Sequence, residues 1–182
     1  MKLYYSPGAC SLSVHITLRE ADMAFTPIKA PTKTHKLDDG TRLMEAPALL
    51  QYIADQVPGK HLAPANGSVA RAQVNGWLNF VSSELHKSFA PLFNPTTPAD
   101  YKPMVAERLL SRFKWVDEQL AGQQYLVGNS FSVADVYLFN VSNWAPMVKV
   151  DLSGLANLTA FRAHMAQRPA VQAAMRAEGL IR

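Results

Sequence analysis

Residues 2–30, KLYYSPGACSLSVHITLREADMAFTPIKA, decide the fold of the N-terminal part of this chain. Residues 2–5 favour a strand and are followed by a Ser-Pro-Gly turn, which predicts a short strand. Apolar residues at helical spacing predict a helix over about residues 10–22. Residues 25–30 predict a second strand, which its proline confines to a sheet edge. This order predicts two parallel strands joined by a right-handed crossover.

The next segment predicts a hairpin and then a helix. Asp38-Asp39-Gly40 lies between extended segments, a pattern typical of a hairpin. One arm would be residues 41–44, and the other would come from the polar residues 32–37. A helix with Pro47 in its first turn follows and ends at about residue 56. Residues 58–67, rich in Pro, Gly, Asn and Ala, are the best candidate for a linker.

The rest of the chain is predicted to be helical. The helices are expected at residues 68–89, 103–120, 132–145, 155–167 and 169–177. The nearly all-apolar segment 132–145 predicts a buried helix. The predicted fold class is therefore α/β plus all-α. A small α/β domain occupies residues 1–57, a linker 58–67, and an all-helical domain 68–182.

The composition is that of a globular protein. Of 182 residues, 48% are apolar and 18% are charged, which excludes a disordered charged tail and a coiled coil. No apolar run reaches the about 18 residues that a membrane helix needs, and the first residues contain no apolar signal-peptide core. The one cysteine excludes an intrachain disulfide. We therefore expect a cytoplasmic protein.

Charge and motif spacing exclude several partners. The net charge of +4 is mild, and there is no basic stripe interleaved with aromatic residues, so we expect no nucleic-acid partner. The five histidines lack metal-ligand spacing, and the glycine motifs of nucleotide loops are absent. We therefore expect no metal.

Cys10 is the first residue with chemical potential, because it follows a strand and turn at the predicted start of a helix. Helix dipole and free backbone N–H groups at such a position favour a thiolate, either that of the cysteine or that of a ligand. The alternative is a small buried apolar residue, since free cysteine is usually buried. Position alone does not separate the two readings.

Two further places carry charged side chains. Glu45, between a strand and a helix, suits a ligand's ammonium group, or it stabilises the first turn of its helix. Glu84, His86 and Lys87 lie near the end of a long helix, where a solvated face is the ordinary explanation. In contrast, Ser132-x-x-Asp135 predicts a capping box, which is structural.

Seven motifs occur together along the chain, and no single one decides the family. They are residues 1–13 (MKLYYSPGACSLS), 38–45 (DDGTRLME), 51–55 (QYIAD), 77–79 (WLN), 83–87 (SELHK), 128–135 (GNSFSVAD) and 168–175 (RPAVQAAM). With this set the chain resembles the beta class of bacterial glutathione S-transferases, nearly from end to end. The resemblance implies a thioredoxin-like domain that binds glutathione, an all-α domain that shapes the pocket for a small electrophile, and a homodimer.

The resemblance also implies catalytic roles. Cys10 would contact the glutathione sulfur and form a mixed disulfide with it. Ser11, His86 and Lys87 would polarise or position the thiolate. This chemistry is reasonable because a thiolate is a far better nucleophile than a thiol, so the site must stabilise negative sulfur.

Binding roles follow from the same resemblance. Glu45 would hold the γ-glutamyl ammonium group. Tyr5, Asn79 and Glu84 would add contacts around the glutathione pocket, with Asn79 and Glu84 supplied by this subunit or by its partner. The co-substrate would be glutathione, with no metal.

The chain departs from the family between Ala30 and Leu37. The family has a helix and a strand there, and the strand begins with Val-Pro-Ala-Leu and pairs with the glutathione backbone. Only residues 31–36 fill that interval here, a loss of roughly 20 residues by typical element lengths. The similar Ala46–Leu50 falls in the following helix. Either residues 32–37 form a replacement strand, or the sheet has three strands.

Two functions are compatible with site residues that are retained and an N-terminal domain that is shortened. One is an enzyme that conjugates glutathione to electrophiles or performs thiol–disulfide chemistry at Cys10. The other is a non-catalytic, transferase-like binding or adaptor protein with an impaired glutathione site. In either case we expect weaker glutathione binding than in a full-length relative.

Overall fold

The computed structural model describes residues 1–30 and 40–182, and between them the backbone of residues 35–36. The predicted turn residues Asp38 and Asp39 lie outside the described residues, as do residues 32–34 and 37 of the predicted replacement strand.

A four-stranded sheet forms the N-terminal part. Its strands are β1 (Lys2–Tyr5), β2 (Thr26–Lys29), β3 (His35–Lys36) and β4 (Arg42–Leu43), in the order β2-β1-β3-β4. β1 and β2 are parallel, whereas β3 is antiparallel to both β1 and β4. The predicted parallel pairing of β1 and β2, the edge position of β2 and the hairpin pairing are therefore confirmed. Of the two alternatives for the shortened segment, the four-stranded sheet is the one observed.

Helix α1 (Ser11–Glu20) is the central element of the molecule. Its residues 11–18 are all buried, because it packs against β1, α2 (Ala46–Gln56) and two helices of the C-terminal part. Pro47 lies in the first turn of α2, where its missing N–H costs nothing. The segment Ala46–Leu50 is thus helical, as expected.

The C-terminal part is all helical, as predicted, with one irregular helix. The helices are α3 (Val69–Phe80), α4 (Ala90–Phe93), α5 (Tyr101–Gln119), α6 (Val133–Ser142), α7 (Ala156–Ala166) and α8 (Pro169–Ala177). The predicted regular helix over 68–89 is wrong in its second half. After α3 the chain is π-helical over Val81–His86 and 3₁₀-helical over Lys87–Phe89. Short π segments inside helices occur frequently at functional sites.

Helix α6 is the buried core helix, and the predicted capping box begins it. The Ser132 side chain caps the first turn, and the Asp135 carboxylate accepts a hydrogen bond of 2.8 Å from the Ser132 N–H. The Leu126 N–H donates to the other oxygen at 2.8 Å. Burial raises the pKa of Asp135 to about 6, although these hydrogen bonds act in the opposite direction.

An ion pair joins α2 to α3. The guanidinium of Arg71, almost fully buried, donates to both carboxylate oxygens of Asp55 at 2.8 and 2.9 Å, and to the Pro64 carbonyl at 3.0 Å. The Arg71 hydrogen bond lowers the pKa of Asp55. The division into residues 1–57, 58–67 and 68–182 stays a prediction. No helix in the described part of the chain is long and apolar enough to cross a membrane.

Candidate functional site

Cys10 lies where the sequence predicts, at the residue before α1. It is half-buried, and its side chain makes no capping hydrogen bond to the helix. The turn before it is closed by Ser11, whose hydroxyl accepts from the Ser6 N–H at 3.3 Å. Gly8 adopts φ of +70°, a conformation that other residues rarely take.

The loop before Cys10 is held by side chains from the helical part of the chain. The Trp144 indole N–H donates to the Gly8 carbonyl at 2.7 Å, and the Asn140 amide donates to the Ala9 carbonyl at 3.1 Å. The Gly8 N–H donates to Glu178 at 2.9 Å. The position of the thiol therefore depends on contacts from the far end of the sequence.

A cleft of about 580 Å³ opens beside Cys10, between α1, the start of α2 and the π-helical segment. It is lined by Cys10, Ser11, Val14, Met44, Glu45, Ala46, Leu49, Ser82, Ser83, His86 and Lys87. Five of the eight predicted site residues are therefore brought together here, namely Cys10, Ser11, Glu45, His86 and Lys87. The cleft offers a thiol, a carboxylate and two groups that can be cationic.

Glu45 has a strained backbone at the mouth of this cleft. Its φ of +67° and ψ of 122° are unusual for a residue with a side chain, and such strain is found mainly at functional sites. It precedes α2, but its side chain makes no capping hydrogen bond. Glu45 therefore does not cap α2 through a side-chain hydrogen bond, and its exposed carboxylate lines the cleft. Its role in binding stays a prediction.

The His86 side chain contacts other side chains of the protein instead of extending into solvent. Its Nδ1 lies 2.7 Å from the hydroxyl of Tyr137, and its ring meets Trp144 edge-on with centroids 4.8 Å apart. Lys87, next in the chain, is exposed. The solvated-face explanation therefore fails for His86.

Three predicted site residues lie outside this cleft. Tyr5 packs its ring near His15, with centroids 5.8 Å apart. Asn79 is exposed on α3. Glu84 forms an ion pair with Arg112 at 3.0 Å. In the single chain, Glu84 is therefore an ordinary charged residue on a helix surface.

A second, more apolar cleft of about 370 Å³ adjoins the first. It is lined by Pro7, Gly8, Ala9, Cys10, His86, Phe89, Ala90, Phe93, Trp144 and Met147. Cys10 and His86 line both clefts. A ligand sulfur atom bound between these two side chains would therefore border both clefts.

The sequence reasoning missed Tyr137 and Trp144. Both lie in the segment 132–145 that is predicted to be a buried helix, and a buried Tyr or Trp normally needs a partner for its polar atom. That signal pointed to polar contacts inside the core. It did not reveal that the partners would be His86 and the loop before Cys10.

Comparison with known proteins agrees with this geometry. Residues 80–169 match the family described as glutathione S-transferase, C-terminal domain. The chain is 43% identical over 200 aligned residues to glutathione S-transferase GstA of Escherichia coli O157:H7, covering 99% of this chain and 100% of that protein.

Two solved structures have the same fold. A sphingomonad glutathione S-transferase complexed with glutathione is 41% identical, with a TM-score of 0.94 and full coverage of both chains. A beta-class enzyme from Sphingomonas chungbukensis is 39% identical, with a TM-score of 0.95 and full coverage of both chains. The fold is thus that of a transferase with a thioredoxin-like domain and a helical domain. The chain belongs to the glutathione S-transferase family, in the group of its beta-class bacterial members.

The comparison also bears on the number of residues that this chain lacks. The alignment with the Escherichia coli relative spans 200 positions, against 182 residues in this chain, so at least 18 positions have no counterpart here. This agrees with the loss of roughly 20 residues estimated from the sequence.

Proposed function

We propose that this transferase binds glutathione in the cleft beside Cys10 and transfers its sulfur to a small electrophile held in the adjoining apolar cleft. The observation that carries the proposal is that Cys10 and His86 line both clefts. A nucleophile and an electrophile placed in adjacent pockets with one shared wall react as an oriented pair.

The site residues divide the chemistry between them. The glutathione thiol releases its proton to solvent water, the thiolate sulfur forms a bond to the electrophilic carbon, and the leaving group departs with the bonding electrons. The α1 N-terminus, His86 and Lys87 favour the thiolate over the thiol. Ser11 acts less directly, because its hydroxyl already closes the turn that positions Cys10.

Glu45 is the residue we assign to the glutathione ammonium group. Its carboxylate is exposed at the cleft, and its strained backbone is consistent with a functional position. The family strand that pairs with glutathione is replaced here by the short β3. We therefore expect side-chain contacts to supply a larger share of the binding than in longer relatives.

Cys10 also permits a disulfide reaction. Its thiolate would attack a mixed disulfide of glutathione with a small thiol compound, bond to the glutathione sulfur and release the other compound as its thiolate. A second glutathione thiolate then attacks the Cys10–glutathione disulfide, which releases the Cys10 thiolate and forms glutathione disulfide. This chemistry needs a reduced thiol pool, which is consistent with a cytoplasmic location.

We further propose a homodimer. Asn79 and Glu84 are outside the cleft of their own chain, so a glutathione contact from either residue would have to be made in the partner subunit. Trp115 is partly exposed and packs against Trp77 and Phe80, which flank Asn79 on α3, and such an exposed apolar patch is consistent with a covered face.

The decisive experiment is isothermal calorimetry of the reduced protein with glutathione, together with turnover of a generic aryl halide. Binding that weakens in Cys10→Ala, with turnover well above background in the wild type, supports the proposal. Binding without turnover would favour the non-catalytic binding protein instead. No binding at millimolar glutathione would overturn the assignment of the cleft.

A further inference from the structure

The hydroxyl of Tyr137 joins two residues of the π-helical segment beneath the Cys10 cleft. Tyr137, on α6, is 1% exposed. Its oxygen lies 2.7 Å from Nδ1 of His86 and is also hydrogen-bonded to the Ser82 side chain. Ser82 and His86 are four residues apart and both line the cleft. The buried Tyr137 hydroxyl is therefore in contact with both side chains.

This phenol keeps its proton. Burial raises the pKa of Tyr137 well above its usual range, and the nearby charges of Cys10 and Glu45 act in the same direction, although the Ser82 hydrogen bond opposes them. Tyr137 therefore always has one hydrogen to donate, and its oxygen can accept as well.

The direction of the bond to His86 decides the tautomer of the ring. A neutral imidazole carries one N–H and one acceptor nitrogen. If Ser82 donates to Tyr137 and Tyr137 donates to Nδ1, the ring hydrogen is on Nε2. If Nδ1 donates to Tyr137, the phenol hydrogen points away from the ring and the deprotonated Nε2 has no hydrogen to offer.

We propose that Tyr137 is a positioning residue that holds His86 in the tautomer with its hydrogen on Nε2, so that the ring donates toward sulfur in the Cys10 cleft. The inference rests on the proposed function of that cleft. A hydrogen-bond donor stabilises a thiolate, whereas a bare Nε2 lone pair would repel it. Trp144, edge-on to the same ring, limits its rotation. Among the described residues, the other titratable groups that line the same cleft as His86 are Cys10, Glu45 and Lys87.

The chain offers a matched control for this proposal. Tyr125 is also buried, and its hydroxyl lies 2.9 Å from Nε2 of another histidine, His164. That pair lines neither cleft. Tyr125→Phe therefore removes the same kind of hydrogen bond without touching the site.

The first test reads the tautomer directly, in protein labelled with ¹⁵N-histidine at about pH 8, above the ordinary histidine pKa. We expect a bare Nδ1 and a protonated Nε2 for His86, assigned by the signals lost in His86→Asn. Tyr137→Phe should convert these signals to a mixture of tautomers, while Tyr125→Phe leaves them unchanged. A protonated Nδ1 in the wild type, or unchanged signals in Tyr137→Phe, would overturn the proposal.

The second test is a double-mutant cycle on turnover. Tyr137→Phe should lower kcat roughly five- to tenfold, the loss expected for one hydrogen bond, with KM for glutathione little changed. In the His86→Asn background, the same substitution should have no further effect. Fully additive losses would overturn a role through His86. If the wild type shows no turnover, the proposed function fails, and the tautomer measurement still decides the inference about Tyr137.

Discussion

Glu178 and His15 form a buried pair in which a carboxylate oxygen lies 2.9 Å from the imidazole Nδ1, with both side chains fully enclosed. The other carboxylate oxygen accepts the Gly8 N–H at 2.9 Å. Glu178 follows α8, whereas His15 is on α1 and Gly8 is in the loop before Cys10. A residue near the end of the sequence thus fixes the helix and the loop that present the thiol.

We predict that Glu178→Ala lowers the free energy of unfolding by roughly 3 kcal/mol, because it leaves buried polar groups of His15 and Gly8 without their acceptor. Turnover should fall as well, since the loop before Cys10 loses a contact. Urea unfolding at neutral pH measures the first effect. Lys60→Gln is the control, because it breaks the exposed pair of Lys60 with Asp22 and should cost under about 1 kcal/mol. Equal losses in the two variants would contradict the prediction.

The sequence predicted the elements of this fold well and the details of the site less well. Strand, turn and helix signals around Cys10 are local, and the Ser132–Asp135 capping box is a four-residue pattern, so both could be recognised. The π-helical segment could not, because its geometry depends on packing against other helices. The contact of Tyr137 with His86 spans 51 positions of sequence. Glu45 was identified by position, but its strained φ has no signature in the residues around it.

Replacing the thiol separates the two reactions proposed for the site. Cys10→Ala should abolish the mixed disulfide with glutathione, because there is no other cysteine in the chain. Conjugation should fall less, since the α1 N-terminus, His86 and Lys87 still favour the glutathione thiolate. Mass spectrometry under non-reducing conditions detects the glutathione adduct, and aryl halide turnover measures the conjugation. Unchanged rates in every glutathione-dependent assay would show that Cys10 is not a partner of the sulfur.

The shortened sheet predicts weak glutathione binding. The resemblance implies that family members bind glutathione partly through backbone contacts from a longer strand, whereas β3 has two residues here, and each lost hydrogen bond costs on the order of 1 kcal/mol. The dissociation constant measured by calorimetry should therefore be about tenfold or more above that of the Escherichia coli relative in the same buffer. Glu45→Gln should weaken binding further, because the ammonium group loses its charged partner. Equal affinities of the two wild-type proteins would refute the prediction.

The buried carboxyl group of Asp135 should make the fold less stable as the pH rises. Its pKa is about 6 in the folded chain, against an ordinary value of 3.8. Between these values the folded chain holds a proton that the unfolded chain has lost. The stabilisation from this group is therefore complete below about pH 4, decreases as the pH rises, and is gone above about pH 6. The full change corresponds to roughly 3 kcal/mol.

The measurement compares the wild type with Asp135→Asn by urea unfolding at several pH values from 4 to 7. The difference in unfolding free energy, wild type minus variant, should fall as the pH rises, because only the wild type carries the titrating carboxyl group. For Asp151→Asn, the same difference in unfolding free energy should change with pH in the opposite direction. The Ser153 N–H holds the pKa of the exposed Asp151 below its usual range, so its small stabilisation is present above that range and is lost as the pH falls. A difference for Asp135 that stays level from pH 4 to 7 would show that this carboxylate titrates normally despite its burial.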